Sequence, residues 1–255
     1  MNEDSSSSND LAHADVGLVC ALPIEIGTFL DRCGRVRKYK GGEFIFRGGR
    51  YDEIRVATVE TGLGFARARR ATLALLDAHS PPWVISCGFS GALLPEMKVG
   101  HIVMADSIVD THGHELTVDV NMPGDPEKGL HVGRVVTVDT IVRAIAEKKT
   151  LAEKFSAIAV DMESLAVAQV CQEQNRRFLA VRAISDDMSA DLPPEVLSVM
   201  GATGTVRLGA ALGAVWKRPG SVKQMWRLRE AAHLAAERLA GFLDGVIKQL
   251  YATYH

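Results

Sequence analysis

This sequence has no excess of positive charge: 29 Lys and Arg stand against 31 Asp and Glu, a net charge of −2. Recognition of nucleic acid through a basic face needs a basic domain or stripe, and the balance argues against one. Cysteine is scarce as well. Cys20, Cys33, Cys87 and Cys171 form no C-x-x-C pair. All but Cys33 sit inside apolar runs, where a free thiol behaves as a small buried hydrophobe. That usage excludes a disulfide or zinc framework and implies a reducing compartment. No apolar run reaches the roughly 18 residues that a membrane span requires. The first 15 residues are polar, with consecutive serines from Ser5 to Ser8, and lack the basic start and apolar stretch of a signal peptide. We expect a disordered tail over 1–15 on a cytoplasmic protein. What the chain does have is apolar residues, 47% of 255, enough to bury a sizeable core.

From Val16 onward, short apolar runs alternate with helical stretches. Val16–Leu22 reads as a buried strand, and Pro23 opens a helix, since proline suits the first helical position. Glu43–Arg47 and Ile54–Glu60 read as strands separated by Gly48-Gly49. After the turn Thr61–Gly64, a helix runs from Phe65 to His79 and is broken by Pro81-Pro82. Trp83–Cys87 and His101–Ile108 are further strands around a glycine-bearing loop, Gly88–Pro95. Residues 111–134 show no period and read as a long irregular connection. Then come a strand at Val135–Val138, a helix at Thr140–Lys148, a strand at 157–161, a helix at 163–174 and a strand at 178–184. A loop over 185–195 leads to a helix ending near Trp216, a hinge at Arg218-Pro219-Gly220 and a last helix, Val222–Leu250. This alternation, without internal repeats, predicts an α/β fold: a single-domain three-layer sandwich with a central, mostly parallel twisted sheet flanked by helices. The domain spans 16–217, with 218–255 a helical extension of it.

Acidic residues recur where apolar runs end. Glu25 lies in the first turn after the first strand, Glu163 just after 157–161, and Asp186 just after 178–184. Single acids at helix starts are ordinary, because the N-terminal dipole favours negative charge. Three at the carboxyl edge of one parallel sheet, where α/β proteins bind ligands, point to a site. Two glycine turns, Thr61–Gly64 and Gly88-Phe89-Ser90-Gly91, fall on the same edge. Glycine there lets a ligand approach the backbone closely.

Taken together, the segments Val16–Glu25, Thr61–Gly64, Gly88–Gly91, Val99–Val103, Val160–Glu163 and Arg182–Asp186 resemble the nucleoside phosphorylase/nucleosidase superfamily. The resemblance is greatest to nucleosidases that release adenine from methylthioadenosine and S-adenosylhomocysteine. It implies cleavage of an N-glycosidic bond through a sugar with oxocarbenium character. It also implies roles. Asp186 protonates the purine at N7, which requires a carboxyl kept protonated by burial. Ser185 orients it, Glu163 grips the ribose hydroxyls and Glu25 activates water. Met162 packs on the sugar, while Gly64, Gly88, Phe89, Ser90, Ile141 and Arg182 contribute to the substrate site. No cofactor or metal is implied, and relatives imply a homodimer or larger homo-oligomer. Three departures matter, the first being Phe89 in the glycine loop where the family usually has serine or threonine. Ile85-Ser86-Cys87 stand where phosphorylases place an arginine, leaving Arg67 as the nearby phosphate candidate, which favours water over phosphate as nucleophile. Ile141 replaces an aromatic that stacks on the base.

A narrower resemblance, through Asp161–Ser164, Asp191–Pro194, Arg218-Pro219 and the last helix, is to hopanoid-associated members that remove adenine from an adenosyl triterpene. It would make Val215-Trp216 and Met225-Trp226, with their basic neighbours, an interfacial patch; packing on the protein's own core or on a second subunit is the plainer expectation. Other classes compete. Gly88–Ala92 nearly spells the nucleophile elbow of serine hydrolases, with Ser90 as nucleophile, but no long helix is expected directly after it. His112-Gly113-His114, with His101 and His131, invites a metal reading, yet lacks partners at ligand spacing. A nucleoside-binding protein without catalysis would leave three acids unexplained.

Overall fold

The protein is described here by a computed structural model covering residues 13–120, 122–194, 196 and 221–254. Its elements in chain order are β1 (Val16–Cys20), α1 (Pro23–Leu30), β2 (Gly34–Gly41), β3 (Phe44–Tyr51), β4 (Ile54–Glu60), α2 (Phe65–His79), β5 (Trp83–Ala92), β6 (Ile102–Asp110), β7 (Glu115–Thr117), β8 (Leu130–Thr137), α3 (Ile145–Phe155), β9 (Ala159–Asp161), α4 (Ser164–Glu173), β10 (Arg177–Asp186) and α5 (Ser221–Tyr254). The helix expected to end near Trp216 and the hinge at Arg218–Gly220 lie outside the described residues. Ala14 and Asp15, assigned above to the tail, are packed: Ala14 is buried and Asp15 pairs with Arg55 at 3.0 Å.

The fold is α/β with helices around a central sheet, but the sheet is mixed and closes on itself. Its order is β10-β6-β8-β9-β5-β1-β4-β3-β2, and β10 also pairs with β5. The strands β10, β6, β8, β9 and β5 therefore form a closed set, from which β1, β4, β3 and β2 extend. Parallel pairing joins β4, β1, β5 and β10, and also β6, β8 and β9. The antiparallel pairs include the hairpins β2–β3 and β3–β4 and the contacts β5–β9 and β6–β10. Gly48-Gly49, read above as a separator, lie inside β3; the turn falls instead at Asp52-Glu53, with Asp52 at a φ of 52°. β2 was absent from the sequence reading because it is an exposed edge with charged side chains and no apolar alternation.

One buried cluster joins β1, β5, β6 and β10 to α1 and α5. Ala235, Leu239, Leu243 and Ile247 of α5 recur every four residues and are fully buried, so this helix completes the core. Earlier in α5, Trp226 is 58% exposed, with Arg229 over its ring; Val215 and Trp216 lie outside the described residues.

Candidate active site

Glu25 is placed by the start of α1. Pro23 sets the first turn, and the Glu25 side chain folds back so that Oε2 accepts the Leu22 N–H at 2.7 Å. Its Oε1 accepts the Phe89 N–H from β5 at 2.9 Å. The carboxyl is 4% exposed, and burial raises its pKa above the usual carboxylate range, while these amides and the Arg182 guanidinium pull the other way. A carboxylate with a raised pKa is a better proton acceptor than an exposed one.

Glu163 reaches the same place from the other side. β9 runs antiparallel to β5, Val160 opposite Gly91, so its carboxyl end comes back to the middle of β5. Glu163 precedes the first turn of α4, and its Oε1 accepts the Gly64 N–H at 2.7 Å. Gly64 sits at a φ of 97°, left-handed backbone that glycine adopts without strain, and so aims its amide at the carboxyl. Burial and the neighbouring Asp161 charge push the Glu163 pKa up to about 8, against the Arg182 guanidinium and the Gly64 amide.

Behind these two acids stands a buried ion pair. Arg182 of β10, 2% exposed, donates through Nε to Asp161 Oδ2 at 2.7 Å and through Nη2 to Ser86 Oγ and Ser164 Oγ at 2.7 and 2.8 Å. Asp161 also accepts from Thr137 Oγ1 and the Ser164 N–H. Burial alone would lower the Arg182 pKa, but Asp161, Glu163 and Glu25 outweigh it and the guanidinium stays charged. Arg182 was expected among the substrate contacts; it lies behind the cavity wall, as a support.

Asp186 ends β10 opposite Gly91. Its Oδ1 accepts from Ser185 Oγ at 3.0 Å, and its Oδ2 accepts from the Lys148 ammonium at 2.6 Å. Burial is the expectation for this carboxyl; in the structure its side chain is 17% exposed, and the group beside it is a cation delivered by α3.

A cavity of about 130 Å³ brings the acids together. Glu25, Phe89, Ser90, Ile141, Met162, Glu163, Ser185 and Asp186 all line it. Gly64 and Gly88 act from behind, one through its amide and the other through its missing side chain. A second cleft of about 450 Å³, between the segment after β10 and α5, shares Ser185 and Asp186. A separate 510 Å³ cavity near Trp83, Asp119 and Arg176 contains none of the three acids.

Gly88–Gly91 is strand rather than loop, because β10 pairs with β5 as far as Gly91. A Cβ at Gly88 would stand 2.8 Å from both Arg182 Nη1 and Glu25 Oε1, groups pinned by their other hydrogen bonds. Gly88→Ala is expected to keep the circular dichroism of the native protein yet lower turnover about 100-fold, the cost of misplacing a reacting group by about 1 Å. Native turnover in that variant would show that Glu25 can shift freely.

The competing chemistries fare differently. Among the described residues Ser90 Oγ is buried without a hydrogen-bond partner, so none of them serves it as the general base of a serine hydrolase, and β5 continues past it as strand. His101 and His131 bond to each other at 2.9 Å, and His114 bonds to Asp110 at 2.7 Å. Among the described residues no group of three His, Cys, Asp or Glu has metal-binding geometry. Arg67, the phosphate candidate, is held by the Thr61 carbonyl at 2.6 Å and by Glu43 at 3.3 Å. No helix among the described residues is long and apolar enough to cross a membrane.

Glu163 also ties the site to stability. Well below its ordinary value of 4.5 the carboxyl is neutral in folded and unfolded chains, and the folded state bears no penalty. As pH rises toward 8 the unfolded chain ionises first, so this contribution is lost across that window, on the order of a few kcal/mol. Glu163→Gln keeps an acceptor for the Gly64 N–H and removes the charge. It is expected to raise the thermal midpoint by several degrees at pH 8 and by little at pH 5. An equal change at both pH values would contradict the raised pKa.

The Phosphorylase superfamily profile matches residues 15–129 and 125–208. A 5′-methylthioadenosine/S-adenosylhomocysteine nucleosidase from Staphylococcus haemolyticus is 23% identical over 195 residues, 67% of this chain and 86% of that protein. Its counterpart from Geobacillus thermodenitrificans is 28% identical over 169 residues, 55% of this chain and 70% of that one. Among solved structures, the Helicobacter pylori 5′-methylthioadenosine/S-adenosylhomocysteine nucleosidase with butyl-thio-DADMe-Immucillin-A superposes with a TM-score of 0.69 at 17% identity, covering 93% of this chain and 99% of that one. The futalosine hydrolase of the same organism gives 0.67 at 17% identity, covering 94% and 99%. The match runs from before β1 to beyond β10 and takes in every acid of the cavity: the chain belongs to the phosphorylase superfamily.

Proposed function

We propose that this protein is a nucleosidase that hydrolyses the N-glycosidic bond of a 5′-modified purine nucleoside, with adenine as the base. One observation carries the reading: Glu25, Glu163 and Asp186, from three distant segments, face one cavity in three different environments. Asp186 donates a proton to N7 of the departing base, and the electrons of the glycosidic bond leave with it. Glu163 accepts hydrogen bonds from the ribose hydroxyls. Those donors favour its ionised form, which then faces the positive charge growing on the sugar. Glu25 takes a proton from the water that attacks the anomeric carbon. Met162 packs on the sugar face.

Water fits as nucleophile better than phosphate. The Arg182 guanidinium is occupied by Asp161, Ser86 and Ser164, and Arg67 by Thr61 and Glu43. A phosphate beside Glu25 would meet the carboxyls with neither arginine free to hold it. The group on the 5′ carbon follows from the relatives only as a class: by name they act on methylthioadenosine and S-adenosylhomocysteine, or on futalosine. The test is chromatographic detection of free base from adenosine, methylthioadenosine, S-adenosylhomocysteine, inosine, futalosine and an adenosine with an apolar 5′ substituent, with and without phosphate. Release without phosphate supports the reading. Strict phosphate dependence would replace it with a phosphorylase.

A further inference from the structure

α3 brings one side chain into the site that the reaction above does not use. The helix is mostly polar, and Lys148 is its single buried residue, at 1% exposure. A buried ammonium is tolerated only when paired and hydrogen-bonded. Nζ donates to Asp186 Oδ2 at 2.6 Å, to the Asp186 carbonyl at 3.3 Å and to the Asp187 carbonyl at 3.1 Å. The start of α3 is fastened to the same segment. The Ile145 N–H donates to Asp191 Oδ1 at 2.8 Å, and the Arg143 guanidinium donates to the Leu192 carbonyl at 2.8 and 3.0 Å. The Leu192 N–H donates back to the Arg143 carbonyl at 3.0 Å. Helix and acid-bearing segment thus form one unit, and its buried charge contact lands on Asp186 Oδ2.

Resting on the nucleosidase reading, we propose that Lys148 is a positioning residue that holds Asp186 and supplies the proton Asp186 delivers to the base. When the glycosidic bond breaks, N7 takes a proton from Asp186 and the bonding pair goes to the base. For that transfer Lys148 Nζ, its ion-pair partner, has first passed the proton to Asp186 Oδ2, so the pair enters the step as amine and carboxyl and leaves it as amine and carboxylate. The proton that the attacking water leaves on Glu25 returns to Lys148 through solvent, so the sum is nucleoside plus water to base plus sugar. Other charges face the pair: Asp187 and Asp191 on its own segment, Lys98 before β6, Asp161 and Glu163 across the cavity, and Arg227 and Glu230 of α5 along the adjoining cleft. Among the described residues only Lys148 forms an ion pair with Asp186.

The test uses Lys148→Met and Lys148→Gln in the full chain, with methylthioadenosine and adenosine as probes from pH 5 to pH 8. Lys148→Met removes the cation at similar length. Lys148→Gln keeps donors for the two carbonyls and so keeps the segment pinned if K148M packs badly. At pH 8 both variants are expected to lose about 100-fold in kcat, within the range of proton-transfer catalysis. KM should stay within about twofold, the pattern of a group that acts only in the transition state. Without the ammonium the acid draws its proton from solvent. The ratio of variant to wild-type kcat should therefore rise at least about tenfold as the pH falls from 8 to 5. A ratio constant with pH, or an unchanged kcat, overturns the proposal and leaves Lys148 a structural tie. If the wild-type protein releases base from none of the six nucleosides of the screen above, the nucleosidase reading falls and this inference with it; release by the wild type with a ratio constant in pH overturns this inference alone.

Discussion

Asp186→Asn is expected to lower kcat for release of the purine by about 10²- to 10⁴-fold, the range for removing a general acid, with KM little changed. Asparagine matches the carboxyl in shape, and its oxygen can still accept from Lys148, but it has no proton to transfer to N7. Breaking a buried ion pair can cost about 3–5 kcal/mol. Here the cost should be smaller, because the Asp186 side chain is 17% exposed toward the cavity and the Lys148 ammonium keeps two carbonyl acceptors. The variant should therefore fold, bind nucleoside and leave it intact. Single-turnover kinetics together with a binding titration separate these quantities. Native kcat in Asp186→Asn would remove Asp186 from the acid role.

Glu25→Gln should be as damaging for a different reason, with a structural signature. Both Glu25 oxygens accept backbone N–H groups, from Leu22 and Phe89. Glutamine has one acceptor oxygen, so one amide would face an NH₂ group and lose its partner. An unsatisfied buried donor costs about 1–3 kcal/mol. The expected result is a loss of hydrolysis of about 10²- to 10⁴-fold together with a lowered thermal midpoint. The variant also separates the two nucleophiles. If water attacks, no phosphate concentration restores turnover. If phosphate attacks, removing the negative charge should leave phosphate-dependent turnover standing, and the water assignment falls.

Lys148→Met and Asp186→Asn touch opposite ends of one ion pair, so their effects should not add. A double variant no worse than Asp186→Asn alone is the outcome expected of residues that act as one unit.

The acids of the site were legible because each follows a short apolar run that can only be a buried strand. One acid at such a place is ordinary at a helix start; three that each follow an apolar run are not. The glycines were legible too, but not their setting. Gly88–Gly91 reads as a loop by composition, yet forms strand because partners 69 to 95 residues away in the chain supply its hydrogen bonds. β2 went unread because an exposed edge strand needs no apolar alternation.

What the amino-acid sequence determined by itself is the α/β class, through local period, the family, through the resemblance of its motifs, and which carboxyls and glycines stand at the ends of apolar runs. Tertiary structure alone decided the closure of the sheet through β5 and β10, the placing of Arg182 behind the wall with Asp161, and the arrival of Lys148 from α3 onto Asp186. Each of these is a pairing across long separations, chosen by which buried charge or backbone group must find a partner away from water. No local pattern records that choice. A lysine in a polar helix looks like solvated surface until the fold shows the carboxylate that it meets.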